Sequence, residues 1–153
     1  MRIATITLTA LLAPAFLALS FKGDKDPLNK RKFSAQVTEF KEGKAKPGKA
    51  GDDEIDFKNG RVFSLFCFDK FEFKEVKYAV NKDSTYDDEG ESKHYLEIEA
   101  ITTNEKNETI NMNFTIDDNN IEGSYKLIKK DIVKKSFTFI GSEKGGKDSK
   151  KKK

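Results

Sequence analysis

The sequence predicts an all-β protein: a single antiparallel domain of about eight strands, an up-and-down meander closing into a small barrel, with a β-sandwich as the alternative. Three observations predict it. Apolar and polar residues alternate with a period of two through most of residues 33–140, the pattern of strands with one buried face. Polar segments rich in Asn, Asp and Gly separate these runs, among them Asn59-Gly60, a pair suited to the φ > 0 that a tight hairpin turn demands. With 13 Phe, no Trp and one Cys, the chain has no intramolecular disulfide to draw on and must be held by aromatic packing.

The elements follow in order. Residues 3–21 carry no charge and follow Arg2. They read as a signal peptide over 1–20, with small-x-small sites at Ala13-Pro14-Ala15 and Ala18-Leu19-Ser20, and hence as a secreted or periplasmic protein. An uncleaved anchor is the alternative, because 19 uncharged residues just suffice to span a bilayer. Lys22, Lys25, Lys30, Arg31 and Lys32 also oppose easy export, since basic residues beyond a span favour the cytoplasmic side. Residues 21–32 are expected to be a flexible lead-in, 33–141 the β domain, and 142–153 a disordered lysine-rich tail without apolar residues.

Within the domain, Phe33, Ala35 and Val37 share a face of a first strand, 33–40. The Lys/Gly-rich stretch Lys41–Asp53, with Pro47-Gly48, reads as a loop. Strands 54–58 and 61–68 flank Asn59-Gly60. The second is apolar on both faces, with Phe63, Leu65 and Cys67 opposing Val62, Phe66 and Phe68. Such a strand is either covered on both sides or forms a patch. The phase breaks at Asp69-Lys70, leaving a loop or one helical turn before Val76, Tyr78 and Val80 resume the alternation in 75–81. Asn81–Ser92 is polar and acidic and reads as an exposed loop.

Four strands then form a meander at 93–102, 108–116, 121–128 and 133–140. Leu96, Ile98 and Ala100 share one face; so do Ile110, Met112, Phe114 and Ile116; so do Ile121, Gly123, Tyr125 and Leu127; and so do Val133, Phe137 and Phe139. A hairpin loop at Asp117–Asn120 sets Ile116 opposite Ile121 and Phe114 opposite Gly123. Closing the next hairpin through Ile128–Ile132 sets Leu127 opposite Val133 and Gly123 opposite Phe137.

The run Glu105-Lys106-Asn107-Glu108-Thr109-Ile110, then Ile121-Glu122-Gly123, then Lys134-Lys135-Ser136-Phe137-Thr138-Phe139-Ile140-Gly141 resembles small secreted bacterial proteins with lipocalin-like β folds. The resemblance covers residues 94–141 and lacks the strand-entry Trp that such proteins often carry. It implies a barrel and, by analogy with those members that bind apolar molecules, an interior ligand.

Charge and composition narrow the function. The last ten residues hold six Lys and one Asp, while residues 21–143 carry 22 basic against 25 acidic side chains. The basic excess therefore belongs to the tail, and the fold lacks the clustered cations of a nucleic-acid surface. Membrane contact is expected only through the leader or the tail. Cys67 sits in Val62-Phe63-Ser64-Leu65-Phe66-Cys67-Phe68, an apolar context that suits a packed thiol and gives a nucleophile no activating field. His94 is the only histidine, so zinc sites and His-dependent triads have no second imidazole to draw on. Asp83, Asp87, Asp88, Glu89 and Glu91 do not match a calcium loop, because Gly90 falls too late for the central turn. Paired carboxylates for glycoside hydrolysis need one acid of raised pKa at a fixed separation from another, and no such pair is legible. Asn107-Glu108-Thr109 and Asn113-Phe114-Thr115 match glycosylation sequons, as Asn/Thr-rich strands do by chance.

The leading expectation is an exported non-enzymatic binding module without cofactor or metal. Its barrel interior would take a small apolar or amphipathic ligand lined by Leu96, Ile98, Ile110, Met112, Phe114, Tyr125, Phe137 and Phe139. The alternative is a protein-interaction module with a solid Phe-packed core and an outer docking face; an enzyme ranks third.

Overall fold

The computed structural model describes residues 26–145. Its strands are β1 (Lys32–Phe40), β2 (Gly48–Lys58), β3 (Arg61–Ser64), β4 (Val76–Asp88), β5 (Glu91–Thr103), β6 (Glu108–Asp117), β7 (Asn120–Lys129) and β8 (Ile132–Glu143), with one helix, α1 (Leu65–Phe71), between β3 and β4. Each strand pairs antiparallel with the next, and β8 returns to pair with β1, so a single sheet closes in a ring. Closure of one sheet excludes the sandwich.

Alternation does what the sequence implies. Phe33, Ala35 and Val37 from β1, Ile55 and Phe57 from β2, Leu96, Ile98 and Ala100 from β5, and Ile110, Met112, Phe114 and Ile116 from β6 are buried inside the ring. β7 and β8 complete the core with Ile121, Tyr125, Leu127, Phe137 and Phe139. Every second residue of β6 is buried while its neighbours are partly exposed.

Four readings of local structure are corrected. Residues 48–53, read as loop, extend β2, and 81–92 form the outer half of the β4–β5 hairpin around a turn at Glu89-Gly90. Cross-strand hydrogen bonding overrides their polar composition, because a strand needs partners more than it needs apolar residues. The two-sided apolar run is not one strand: β3 stops at Ser64 and α1 takes over. Residues 26–31, read as a flexible lead-in, are packed. Leu28 is fully buried, Lys30 N–H donates to the Phe57 carbonyl (2.8 Å), and Phe57 N–H donates to the Arg31 carbonyl (2.9 Å). Arg31 donates to both carboxylate oxygens of Glu143 (3.0 and 2.7 Å) and to the Asp118 carbonyl (2.6 Å). A single buried leucine in a charged stretch gives no periodic signal, which is why the segment reads as unstructured.

The register holds in one hairpin and slips in the next. Ile116 lies opposite Ile121 and Phe114 opposite Gly123. In β7–β8, however, Gly123 faces Phe139 and Tyr125 faces Phe137, while Leu127 faces Lys135. The turn there is the pair Lys130-Asp131, both at positive φ. A bulge between Leu127 and Ile128 moves the pairing further along β8. Ser142 and Glu143, read as the start of the disordered tail, instead end β8 in register with β1, because main-chain pairing needs no apolar side chain. The signal-peptide and anchor readings, and the tail beyond Gly145, concern residues outside those described. No helix among the described residues is long and apolar enough to cross a membrane.

Candidate functional site

The site is built around α1, which lies over the end of the barrel that carries the β5–β6 and β7–β8 turns. Ser64 starts the helix: its Oγ accepts from Cys67 N–H at 3.1 Å, the usual N-cap arrangement. The helix ends at Glu72, whose left-handed backbone (φ 62) directs its N–H to the Phe68 carbonyl, closing the last turn. Asn104 Nδ2 donates to the Phe71 carbonyl at 3.2 Å and ties this end to the β5–β6 turn.

The inner side of α1 seals the barrel. Phe66 and Cys67 are buried. The Phe66 ring meets Phe137 edge-on at 5.2 Å and stacks with Tyr125 at 6.3 Å, and Phe71 lies 5.8 Å from Phe137. Beneath them Tyr125 stacks on Phe139 (4.6 Å), and Phe114 touches Tyr125, Phe139 and Phe57 at 6.1, 5.6 and 5.5 Å. The eight side chains expected to line a ligand chamber are thus all buried inside the ring; Phe114, Tyr125 and Phe139 touch one another, and Phe137 joins them through Phe66.

One polar cluster interrupts this core. Asp53, only 2% exposed, accepts from Ser64 Oγ (2.7 Å), Phe66 N–H (2.9 Å) and Tyr125 Oη (2.6 Å). Burial raises its carboxyl pKa above the ordinary 3.8, and the hydrogen bonds from Phe66, Tyr125 and Ser64 oppose the rise without cancelling it. Burial likewise pushes the Tyr125 phenol well up and the Cys67 thiol up to about 12. Three donors give each carboxylate oxygen a partner, Phe66 N–H on Oδ1 and Ser64 and Tyr125 on Oδ2, which is what a buried carboxyl requires. The cluster fastens the helix start to β2 and β7. Sequence reasoning missed it, having placed Asp53 in a loop. The signal was present: Asp53, Ile55 and Phe57 alternate in phase, so Asp53 belongs to the inward face.

The outer side of α1 is the exposed one. Leu65 and Phe68 are 37% and 42% exposed, and the Phe68 ring packs against Phe63 at 5.6 Å. Beside them an open groove of about 130 Å³ is flanked by Phe63 and Leu65 and edged by Lys32, Glu54, Asp56 and Lys144, with Phe33 and Ile55, buried in the barrel, at its base. The edge is neutral in sum, with Lys32 paired to Asp56 (3.0 Å) and Lys144 to Glu54 (2.5 Å).

The remaining sequence candidates lie apart from α1. His94, near the far end of the barrel, contacts Asp83 at 2.5 Å. Of the acidic stretch, Asp88 pairs with Lys93 and Asp87 accepts from Gly90 N–H at 2.9 Å. Among the described residues no group of three His, Cys, Asp or Glu is arranged to hold a metal ion.

Comparison with known proteins returns nothing. No protein-family model matches the chain, and no curated protein or solved structure matches it. The lipocalin-like resemblance therefore has no support from relatives, and function must be argued from the geometry alone.

Proposed function

We propose that the protein is an exported, non-enzymatic interaction module that docks a partner protein on the outer side of α1 and β3. The observation that carries this reading is the two-sidedness of the helix: Phe66 and Cys67 fill the barrel while Leu65 and Phe68 stay in solvent beside a groove flanked by Phe63. An eight-stranded barrel is wide enough either to be filled by its own side chains or to hold one small ligand. The ring-to-ring contacts from Phe57 through Phe114, Tyr125 and Phe139, and from Tyr125 through Phe66 to Phe137, favour the filled state. A ligand would have to displace those rings. On the outside, large apolar side chains at the centre of a patch with a paired-charge rim have the composition of a protein-docking surface. An enzyme has less in its favour: Cys67 is buried with its thiol held neutral, which denies it the role of nucleophile.

The test is affinity capture from extracts of the source cells with the full chain, in parallel with a Leu65→Asp/Phe68→Asp variant shown by circular dichroism to keep its fold. A partner held by the wild type and lost by the variant is the expected result. Equal capture by both, or saturable uptake of an apolar fluorescent probe by the wild type that the variant retains, would return the argument to the interior ligand.

A further inference from the structure

The second surface lies at the other end of the molecule and does not depend on α1. The ring closes through only two residue pairs between β3 and β4, Arg61 with Lys77 and Val62 with Val76. One further bond, from Tyr78 N–H to the Gly60 carbonyl (3.2 Å), prolongs the closure. β4 then runs on to Asp88, past the Asn59-Gly60 turn, paired with β5 alone among the described residues.

Hydrogen-bond parity fixes which main-chain groups are left over. Tyr78 points away from β5, and alternation in an antiparallel ladder carries that direction to Val80. The bulge between Val80 and Lys82 shifts the phase by one. Beyond it, Asp83, Thr85 and Asp87 turn their N–H and C=O outward. The other side of the hairpin agrees, because the His94 carbonyl, opposite Thr85, faces the β6 side and accepts from Asp118 N–H at 2.8 Å. These three residues also share one side-chain face, so the open edge carries two carboxylates flanking a threonine; Asp83 contacts His94 and Asp87 accepts from Gly90 N–H, each through Oδ1 alone, which leaves the second oxygen of each for a lysine.

We propose that this edge of β4 accepts an added strand from a lysine-bearing extended segment of another polypeptide, with lysines four residues apart opposite Asp83 and Asp87. Main-chain bonds to an exposed edge supply affinity in this mode, and cross-strand side chains supply selectivity. Charge gives a second copy of this chain no such advantage. Self-pairing over the whole stretch 82–88 centres on Thr85 and sets Asp83 against Asp87 twice, and these like-charge pairs offset the two Lys82–Asp88 pairs of the same register. The bulge and the charged residues, devices that blunt edges against indiscriminate pairing, thus leave a basic strand as the complementary occupant.

The experiment uses the full chain and a fluorescein-labelled synthetic peptide, Thr-Lys-Thr-Val-Thr-Lys-Thr, with its Lys→Glu counterpart as control. The lysine peptide should raise anisotropy saturably, the glutamate peptide should not, and amide exchange at Asp83, Thr85 and Asp87 should slow on binding. Thr85→Pro, which removes the central donor, should weaken binding about tenfold or more, equivalent to losing at least about 1.4 kcal/mol. If Thr85→Pro does not fold, the amide exchange of the wild type decides alone. Absence of binding overturns the proposal, as does binding that leaves those three amides unprotected, which would be charge attraction without strand addition. Leu65 and Phe68 lie at the other end of the barrel from residues 83–87 of β4, so neither result bears on the α1 docking face.

Discussion

Gly123 gives the sharpest test of how tightly the barrel is closed. Its φ is not positive, so the position does not need glycine for backbone freedom. It needs glycine for space. A Cβ built there would lie 1.9 Å from the Asn113 carbonyl oxygen and 2.6 Å from Phe139 Cζ. The ring can rotate aside; the carbonyl belongs to β6, paired across the ladder. Ordinary non-bonded contact begins at about 3.5 Å, so β6 and β7 would have to part by more than an ångström. That separation loosens the adjacent ladder bonds, each worth about 1 kcal/mol, on top of the usual overpacking cost of about 1–3 kcal/mol. Gly123→Ala should therefore cost about 3 kcal/mol, and Gly123→Val should cost more despite valine's β propensity. Urea unfolding of the wild type and both variants, read at constant m, measures this. Adding Phe139→Leu to Gly123→Ala should recover only a minor part, because the backbone contact remains. An alanine variant within about 0.5 kcal/mol of wild type would refute the close approach of the strands, since surface-like tolerance is of that size.

Three other outcomes follow from the same packing. The Asp53 carboxyl has a folded pKa raised above its ordinary 3.8 by burial, so the native state holds its proton more tightly than the unfolded chain does. The stability this adds is fully present below pH 3.8 and is lost as pH rises through the folded value; Asp53→Asn should accordingly gain on wild type across that interval, and urea midpoints at a series of pH values show whether the gap moves the other way. Cys67, fully buried with its thiol pushed up to about 12, should react with a thiol reagent at pH 8 only as fast as the protein opens, and labelling at the rate of a free thiol would show α1 loosely seated. Leu28→Ala should cost about 2–5 kcal/mol, the range for emptying a packed leucine site, and a melting temperature equal to that of wild type would show that residues 26–31 do not close the barrel.

Much of the fold is legible in the sequence because a closed antiparallel sheet writes its burial pattern with period two. The strict alternation of Ile110, Met112, Phe114 and Ile116 could only be a strand with one dry face, and the observed β6 buries those four. Asn59-Gly60 marks a real turn, with both residues at positive φ. The errors cluster where the deciding contact is distant along the chain. Phe63–Phe68, apolar on both faces, passes for a covered strand, yet Ser64 ends it, because Asp53, eleven residues away, takes the Ser64 hydroxyl and the Phe66 amide and leaves Ser64 Oγ to cap a helix. The candidate docking face exists only because of that switch: as a strand, Leu65 would share the Phe63 face, whereas the helix divides Leu65 and Phe68 from Phe66 and Cys67.

By itself the sequence determined the strand count, the inward face of nearly every strand and the neutrality of the body, since each depends on residue type at short periodic spacing. The tertiary structure alone decided how the ring closes, how far β7 and β8 slide past each other, and what the ends of the barrel hold. The slide is set by a bulge and a two-residue turn, which shift register without changing which residues are apolar. The β3–β4 seam is short because β3 ends at Ser64 on one side and begins after the Asn59-Gly60 turn on the other. Past that turn β4 runs on with an edge that pairs with β5 alone among the described residues; its outer side is made of main-chain groups, which all residues but proline carry alike and which no side-chain pattern announces.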